Sequence, residues 1–316
     1  MKQPLIILTG PTASGKTALS VELAKRIGGE IISADSMQVY RHMDVGSAKV
    51  TKEEMCGIPH HLIDVLDPKD AFNVVVFQQL AKSAMEEIYQ NGHIPIIAGG
   101  TGFYIQALLY DIDFTENDSD MEYRRHLEKL AADQGADVLH TMLRQVDPES
   151  ADAIHANNIK RVIRALEFYE KTGRKISEHN EEERGKDSPY NFAYYVLNMD
   201  RKILYDRIDR RVDLMFEHGL EAEVLRLKDM GCTRDMVSMQ GLGYKEVLDY
   251  LCGEISLAEA SYIIKRDTRH FAKRQLTWFK REKDVTWINQ DEFGFKRELI
   301  LGWMTDDLKK RGIIWN

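Results

Sequence analysis

Three cysteines in 316 residues, Cys56, Cys232 and Cys252, stand far apart with no C-x-x-C spacing between them. That excludes a disulfide scaffold and a cysteine-bound structural zinc, and it points to a reducing compartment, so a cytoplasmic protein is expected. No repeat and no low-complexity tract interrupts the chain. Long apolar runs are also missing. Residues 5–8, after a single lysine, are too short a run for a signal peptide, and no later stretch approaches membrane-spanning length, so no membrane partner is expected. Positive charge is in deficit, with 43 basic residues against 51 acidic ones and a net charge of −8. A non-specific nucleic-acid binder is therefore disfavoured. The length suffices to bury a full α/β core and to carry a second, smaller domain.

The chain does contain G-x-x-x-x-G-K-[ST], matched at every fixed position by Gly10, Pro11, Thr12, Ala13, Ser14, Gly15, Lys16 and Thr17. The apolar run at 5–8 reads as a buried strand, and Leu19, Leu23 and Ile27 at i, i+4 and i+8 read as the helix that follows. Such a loop turns backbone N–H groups inward around an anion. The helix N-terminus adds its dipole, Lys16 a point charge, and the Thr17 hydroxyl a ligand for Mg²⁺. A bound nucleoside triphosphate such as ATP is the default expectation, yet any diphosphate with magnesium meets the same demands.

Further along, residues 30–34 read as a second strand that delivers Asp35, Ser36, Met37, Gln38, Val39 and Tyr40 at its C-terminal end, where open α/β sheets bind ligands. Asp35 either caps a helix or starts a turn, or is a catalytic carboxylate. The pair His60 and His61, with Asp64 three residues on, has the residue types of a metal site; adjacent histidines usually point apart, and a structural role is the preferred reading. Phe77, Ala81, Ala84 and Ile88 mark an amphipathic helix, and a strand at 94–98 runs into Gly99, Gly100, Thr101 and Gly102. That glycine turn would lie at the same sheet edge as Lys16 and Asp35. From about residue 113 to 189 the composition turns charged and helix-forming, which reads as an inserted helical domain. Within it Ile159, Val162, Ile163, Leu166 and Tyr169 form an apolar stripe, with Lys160 and Arg161 on other faces. Residues 178–187 look exposed or mobile.

Residues 194–198 restore a core strand, and a helix from residue 201 carries Arg207 and Arg211 near its apolar stripe. Arginines at the edge of a buried face need an anion, either a structural carboxylate or a bound diphosphate. The last long helix opens at Ser256, three residues before Glu259, as a capping box would. Residues 265–283 hold eight basic residues against two acidic ones, a charge of +6 in a chain that is −14 elsewhere. Arg266, Arg269, Lys273 and Lys280 line one side of this helix, either as a solvated face or as a site for a specific polyanion.

Taken together, GPTASGKT (10–17), ADSMQVY (34–40), GIPHHLID (57–64), GGTGFY (99–104), RVIRALE (161–167), SMQGLGYKE (238–246) and TRHFAKRQLTWF (268–279) resemble the bacterial tRNA dimethylallyltransferases, also called tRNA isopentenyltransferases. The resemblance covers almost the full length. Leu242 stands where isoleucine is commoner, and the cysteine count lacks the C-terminal zinc finger of eukaryotic members.

The resemblance implies an α/β fold: a P-loop NTPase-like parallel sheet flanked by helices, formed by residues 1–112 and 190–316, with an all-helical insertion, 113–189, that contacts tRNA. It implies transfer of a dimethylallyl group from dimethylallyl diphosphate to N6 of the adenine 3′-adjacent to the anticodon, position 37 of tRNAs reading codons that begin with U. Asp35 resembles the family's general base and Thr101 its diphosphate-binding threonine. Lys16, Thr17 with Mg²⁺, and Arg207 or Arg211 would neutralise the leaving diphosphate. By the same matching Asp35, Ser36, Met37, Gln38 and Thr101, then Ile159, Lys160, Arg161, Val162 and Ile163, then Gln240, Gly241, Leu242, Gly243, Tyr244 and Lys245 fall in tRNA-contact segments, with Tyr123 a further candidate. Arg266, Arg269 and Lys273 would supply phosphate contacts to the anticodon stem-loop. A monomer is expected. The alternatives are a P-loop nucleoside or nucleotide kinase, and a non-enzymatic RNA-binding switch.

Overall fold

The structure, a computed structural model, describes residues 2–114 and 121–314. Its contacts divide the chain into two compact units, Met1–Leu109 with Pro189–Asn316, and Tyr110–Ser188.

The first unit is built on a six-stranded parallel sheet. Its strands are β1 (Gln3–Thr9), β2 (Gly29–Ala34), β3 (His60–His61), β4 (Ile94–Gly99), β5 (Tyr190–Asn198) and β6 (Val285–Asn289), in the order β3-β2-β4-β1-β5-β6. Leu5, Ile6, Ile7 and Leu8 of the central β1 are all fully buried, because helices cover both faces of a parallel sheet and leave no polar side. Strand β6, unforeseen in the sequence reading, pairs with β5 from Tyr194↔Val285 to Asn198↔Asn289. It is an edge strand of five residues with only Ile288 buried, so it lacks the apolar run that betrays a central strand.

Helix α1 (Lys16–Ile27) follows β1, α2 (Lys52–Met55) precedes β3, and α3 (Val74–Gln90) and α4 (Gly102–Leu109) flank β4. Asn73 caps α3 by accepting from the Val75 and Val76 amides, at 2.9 and 3.1 Å. Beyond β5 come α10 (Arg201–Glu217), α11 (Leu220–Asp229), α12 (Tyr244–Leu251), α13 (Leu257–Phe279) and, after β6, α14 (Arg297–Lys310). Ser256 caps α13 by accepting from the Glu259 amide at 3.2 Å.

The strand register places the ligand edge. Thr9 of β1 and Ala34 of β2 are both aligned with Gly99 of β4, so the loops that start at Gly10, Asp35 and Gly100 leave the sheet side by side. The Thr101 amide donates to the Ala34 carbonyl at 3.2 Å and ties the second of these loops to the third. At the opposite edge His61 Nε2 and His93 Nδ1 lie 2.7 and 2.6 Å from the two oxygens of the buried Glu30. His61 thus has a structural partner. His60 turns its Nδ1 to the Ile58 carbonyl at 2.8 Å, and among the described residues no cluster of histidine, cysteine or carboxylate could hold a metal ion.

The second unit comprises α5 (Met121–Gln134), α6 (Ala136–Val146), α7 (Pro148–Ala153), α8 (Ile159–Thr172) and α9 (Ile176–Gly185). Leu127, Leu139, Leu143, Val162, Ile163 and Leu166 form its core. Asp147, 1 % exposed, accepts from the amides and hydroxyls of both Ser150 and Ser177, which joins α7 to the start of α9. Most of residues 178–187 belong to a helix, α9, and most are exposed, in keeping with the expectation of an exposed or mobile segment. The Asp147 anchor and a two-oxygen contact of Arg174 with Glu182, both at 2.7 Å, supply order that charge content alone does not reveal.

Candidate active site

The three loops at the ligand edge open into one cavity of about 510 Å³, within the roughly 300–1,000 Å³ usual for small-molecule sites. Lys16, Thr17, Asp35, Thr101 and Arg211 all line it. The phosphate loop enters α1 through Gly15 at φ 85°, and Ala13 also holds a left-handed φ of 63°, a strained choice for a residue with a side chain. Both keep the loop curled around the position of an anion. Ser14 Oγ inside this loop is buried with no hydrogen-bond partner.

The charges converge without cancelling. Lys16 Nζ donates to the Pro11 carbonyl at 2.7 Å. Loss of hydration pushes its ammonium down to about 7, Arg211 adds like-charge repulsion, and Asp35 opposes both. Burial likewise lowers the Arg211 guanidinium, against the pull of Asp35 and Glu54. A site with two cations short of water and one carboxylate is prepared for a multivalent anion.

Asp35 is oriented by its own turn. Its Oδ1 accepts from the Met37 amide at 2.8 Å and the Gln38 amide at 3.4 Å, while no described hydrogen bond reaches Oδ2. That oxygen is available to accept a proton. Arg207 is corrected: it is absent from the cavity lining, and its guanidinium lies over the Phe295 ring, 5.3 Å from the centroid. Four residues on a helix advance the side chain by ~40°, enough to carry Arg211 inward and leave Arg207 outside.

Magnesium fits this donor set as an ion held chiefly by its ligand. Thr17 and Asp35 are among the oxygen-bearing residues that line the cavity, and Mg²⁺ with one or two protein donors completes its shell from phosphate oxygens and water.

The segment 240–245 closes one side. Gln240, Gly241, Leu242 and Lys245 line the cavity beside Ser36, Met37 and Gln38, and a Cβ on Gly241 would meet Met37 Cε at 2.6 Å. Two of the expected RNA-contact segments thus meet at this cavity. Tyr244 is a correction, since it is fully buried and donates to Glu223 at 2.8 Å. Gly243 is buried too, its amide bound to Glu246. Glu223, which the sequence reading missed, also accepts from the Asp44, Val45 and Gly46 amides at 2.8–3.0 Å and so fixes the loop whose Gly46, Ser47 and Ala48 line the cavity. Nothing in the sequence pairs it with a loop about 180 residues away.

In the helical unit Lys160 and Arg161 are exposed, Ile159 and Tyr123 pack against the core, and Val162 and Ile163 belong to that core, at 0 % and 3 % exposure. A buried aliphatic residue cannot meet RNA, so Val162 and Ile163 leave the contact set. On α13 the positive charge is divided. Lys265 pairs with Asp213 at 2.5 Å, Arg266 with Asp267 at 2.7 Å, and Arg269 with Asp209 at 2.5 Å. Arg266 and Arg269 thus each have a carboxylate partner within the protein. No carboxylate pairs with Lys273, Arg274, Lys280 or Arg281 among the described residues, and His270, Lys273, Arg274, Thr277, Trp278 and Arg281 line a shallow cleft of about 340 Å³.

Comparison with known proteins gives one answer. A family model described as IPP transferase matches residues 38–282. A curated tRNA dimethylallyltransferase of Lachnoclostridium phytofermentans is 64 % identical over 298 residues, covering 94 % of this chain and 95 % of the relative, and one of Acetivibrio thermocellus is 51 % identical over 296. The crystal structure of the full-length tRNA isopentenylpyrophosphate transferase of Bacillus halodurans superposes with a TM-score of 0.74 at 46 % identity, over 98 % of both chains. A eukaryotic dimethylallyltransferase acting on tRNA superposes with a TM-score of 0.79 at 31 % identity, over 91 % of this chain and 74 % of that one. The kinase reading is not favoured by these relatives. The model match across most of the chain, together with relatives far above 30 % identity over nearly its whole length, shows that the chain belongs to the IPP transferase family.

Proposed function

We propose that this chain transfers the dimethylallyl group of dimethylallyl diphosphate to N6 of the adenine 3′-adjacent to the anticodon, position 37 in tRNAs reading U-starting codons, acting as a cytoplasmic monomer. The convergence of Lys16, Asp35, Thr101 and Arg211 in one cavity, beside the 240–245 segment, carries this reading. The kinship with tRNA dimethylallyltransferases names the reaction.

The adenine leaves its stack, because an amine inside a stacked anticodon loop cannot line up with an allylic carbon. The N6 lone pair attacks C1 of the allyl group as the C–O bond to the diphosphate breaks. Asp35 Oδ2 takes the proton that N6 gives up, while Oδ1 stays fixed by the Met37 amide. The leaving diphosphate gathers negative charge, which Lys16, Arg211 and the Thr101 hydroxyl receive. Magnesium, held by Thr17 and the diphosphate, would supply further charge neutralisation when bound. Lys160, Arg161, Lys273 and Arg281 are exposed cations suited to RNA phosphates, which position the substrate without reading its sequence.

The test incubates the protein with labelled dimethylallyl diphosphate and unmodified tRNA in the absence of ATP. Label in the RNA at N6 of the expected adenine is the predicted result; label confined to the donor pool would overturn the assignment.

A further inference from the structure

Two glycine-rich loops must hold one diphosphate at a fixed separation; Thr9 Oγ1 ties their strand ends by donating to the Gly99 carbonyl at 2.6 Å, and beyond the strands one side chain bridges the loops themselves among the described residues. Gln275 of α13, 7 % exposed, accepts from the Thr12 amide of the phosphate loop at 2.9 Å through Oε1. Its Nε2 donates to the Gly100 carbonyl of the second loop, also at 2.9 Å. The approach is so close that a Cβ on Gly100 would sit 2.2 Å from Nε2. A second glutamine, Gln290, donates to the Ser14 carbonyl at 3.0 Å but touches the phosphate loop alone. Gln275 is therefore distinguished by bridging.

Its position on α13 adds a second consequence. The neighbouring Lys273 lines the shallow cleft and Arg274 lines both that cleft and the main cavity, neither with a carboxylate partner among the described residues, so a polyanion docked there pulls on the same helical turn that carries the bridge. We propose that Gln275 is a positioning residue for the transfer reaction: it sets the separation of the Thr12 and Gly100 loops around the diphosphate and couples docking of tRNA on α13 to diphosphate affinity. Coupling of this kind is reciprocal, so each ligand tightens the other by the same factor.

This rests on reading the cavity as the diphosphate site, and the experiment separates the two. Calorimetry measures inorganic pyrophosphate binding, with magnesium, in the presence and absence of unmodified tRNA, for the wild type, Gln275→Met and Gln290→Met. Methionine keeps the length and volume of glutamine but removes its hydrogen bonds. The wild type is expected to bind pyrophosphate several-fold more tightly with tRNA present. Gln275→Met is expected to lose tenfold or more in pyrophosphate affinity and to bring the tRNA effect to a ratio near one, with tRNA affinity alone unchanged. Gln290→Met should weaken pyrophosphate less and keep the ratio. A folded Gln275→Met with wild-type affinity and ratio overturns the inference; a wild type that binds no pyrophosphate overturns the reading of the cavity itself. If Gln275→Met does not fold, Gln275→Glu decides, because it keeps an acceptor for Thr12 and loses the donor to Gly100. Wild-type coupling in that variant would equally sink the proposal.

Discussion

Helix α8 of the helical unit and the ligand edge of the sheet unit use charge in opposite directions. In the helical unit the apolar stripe of α8 faces inward through Val162, Ile163 and Leu166, while Lys160 and Arg161 face water. In the sheet unit, Lys16, Arg211 and Asp35 face a cavity, and Glu223 is buried outright. The first arrangement stabilises by removing apolar area from water. The second costs stability and is held by surrounding hydrogen bonds, as strained functional sites are. The difference teaches that one residue type, here a cation on a helix, has to be read with its neighbours before it has a role.

The largest expected effect sharpens this contrast. Asp35→Asn should lower the single-turnover rate on the order of 10²-fold or more while leaving fold and tRNA affinity intact, the usual scale for a lost general base. Rates near wild type would remove Asp35 from the chemistry.

Next in size is the divided helix. Lys273→Glu with Arg281→Glu should weaken tRNA binding and flatten its salt dependence by roughly one unit of log–log slope per lost phosphate contact. Arg266→Ala, which removes a cation already paired with Asp267, should change the slope by much less. Equal slopes for both variants would erase the division.

The third tests the cavity through pH. Lys16 sits near 7 in the free protein, and a bound anion raises it, so binding takes up a proton and weakens as pH rises through 7. Between pH 6 and pH 8 pyrophosphate affinity should fall by about tenfold more in the wild type than in Lys16→Arg, whose guanidinium stays charged. Titration calorimetry in two buffers of different ionisation enthalpy reads the proton directly; parallel pH profiles would show Lys16 charged throughout.

The smallest effect concerns the helical unit alone. Val162→Ala should destabilise it by about 2 kcal/mol through lost burial and the cavity left behind, and Lys160→Ala by less than about 0.5 kcal/mol. Thermal unfolding ranks the two, and the reverse order would mean that the faces of α8 are assigned the wrong way round.

Much of this architecture was readable in advance because its signals are local. The phosphate loop, the Asp35 turn and the Gly99–Gly102 turn each announce themselves within a few residues, and parallel pairing then aligns them. Val162 and Ile163 entered the contact set because motif matching carries a whole segment, although the 3.6-residue period had already marked both as core. What stayed hidden depends on long-range pairing. Gln275 meets Thr12 across 263 positions and Glu223 meets Gly46 across 177, and no periodicity or spacing marks either residue. Arg207 and Arg211 were equivalent on paper; the rotation of α10 against the cavity separates them.

The crowding around the second glycine turn sets the terms for anyone wishing to remodel the enzyme for bulkier allylic donors. A Cβ at Gly99 would press to 2.3 Å of the Ala34 carbonyl, and one at Gly102 to 2.2 Å of the Trp278 ring, so this jaw is backbone against backbone and ring, with no slack to redistribute. Met37 and Leu242, which also line the cavity, are side chains with rotatable ends. A saturation library should return functional clones with altered donor range from positions 37 and 242, and almost none from position 99; evolvability of this site lies on its flexible side.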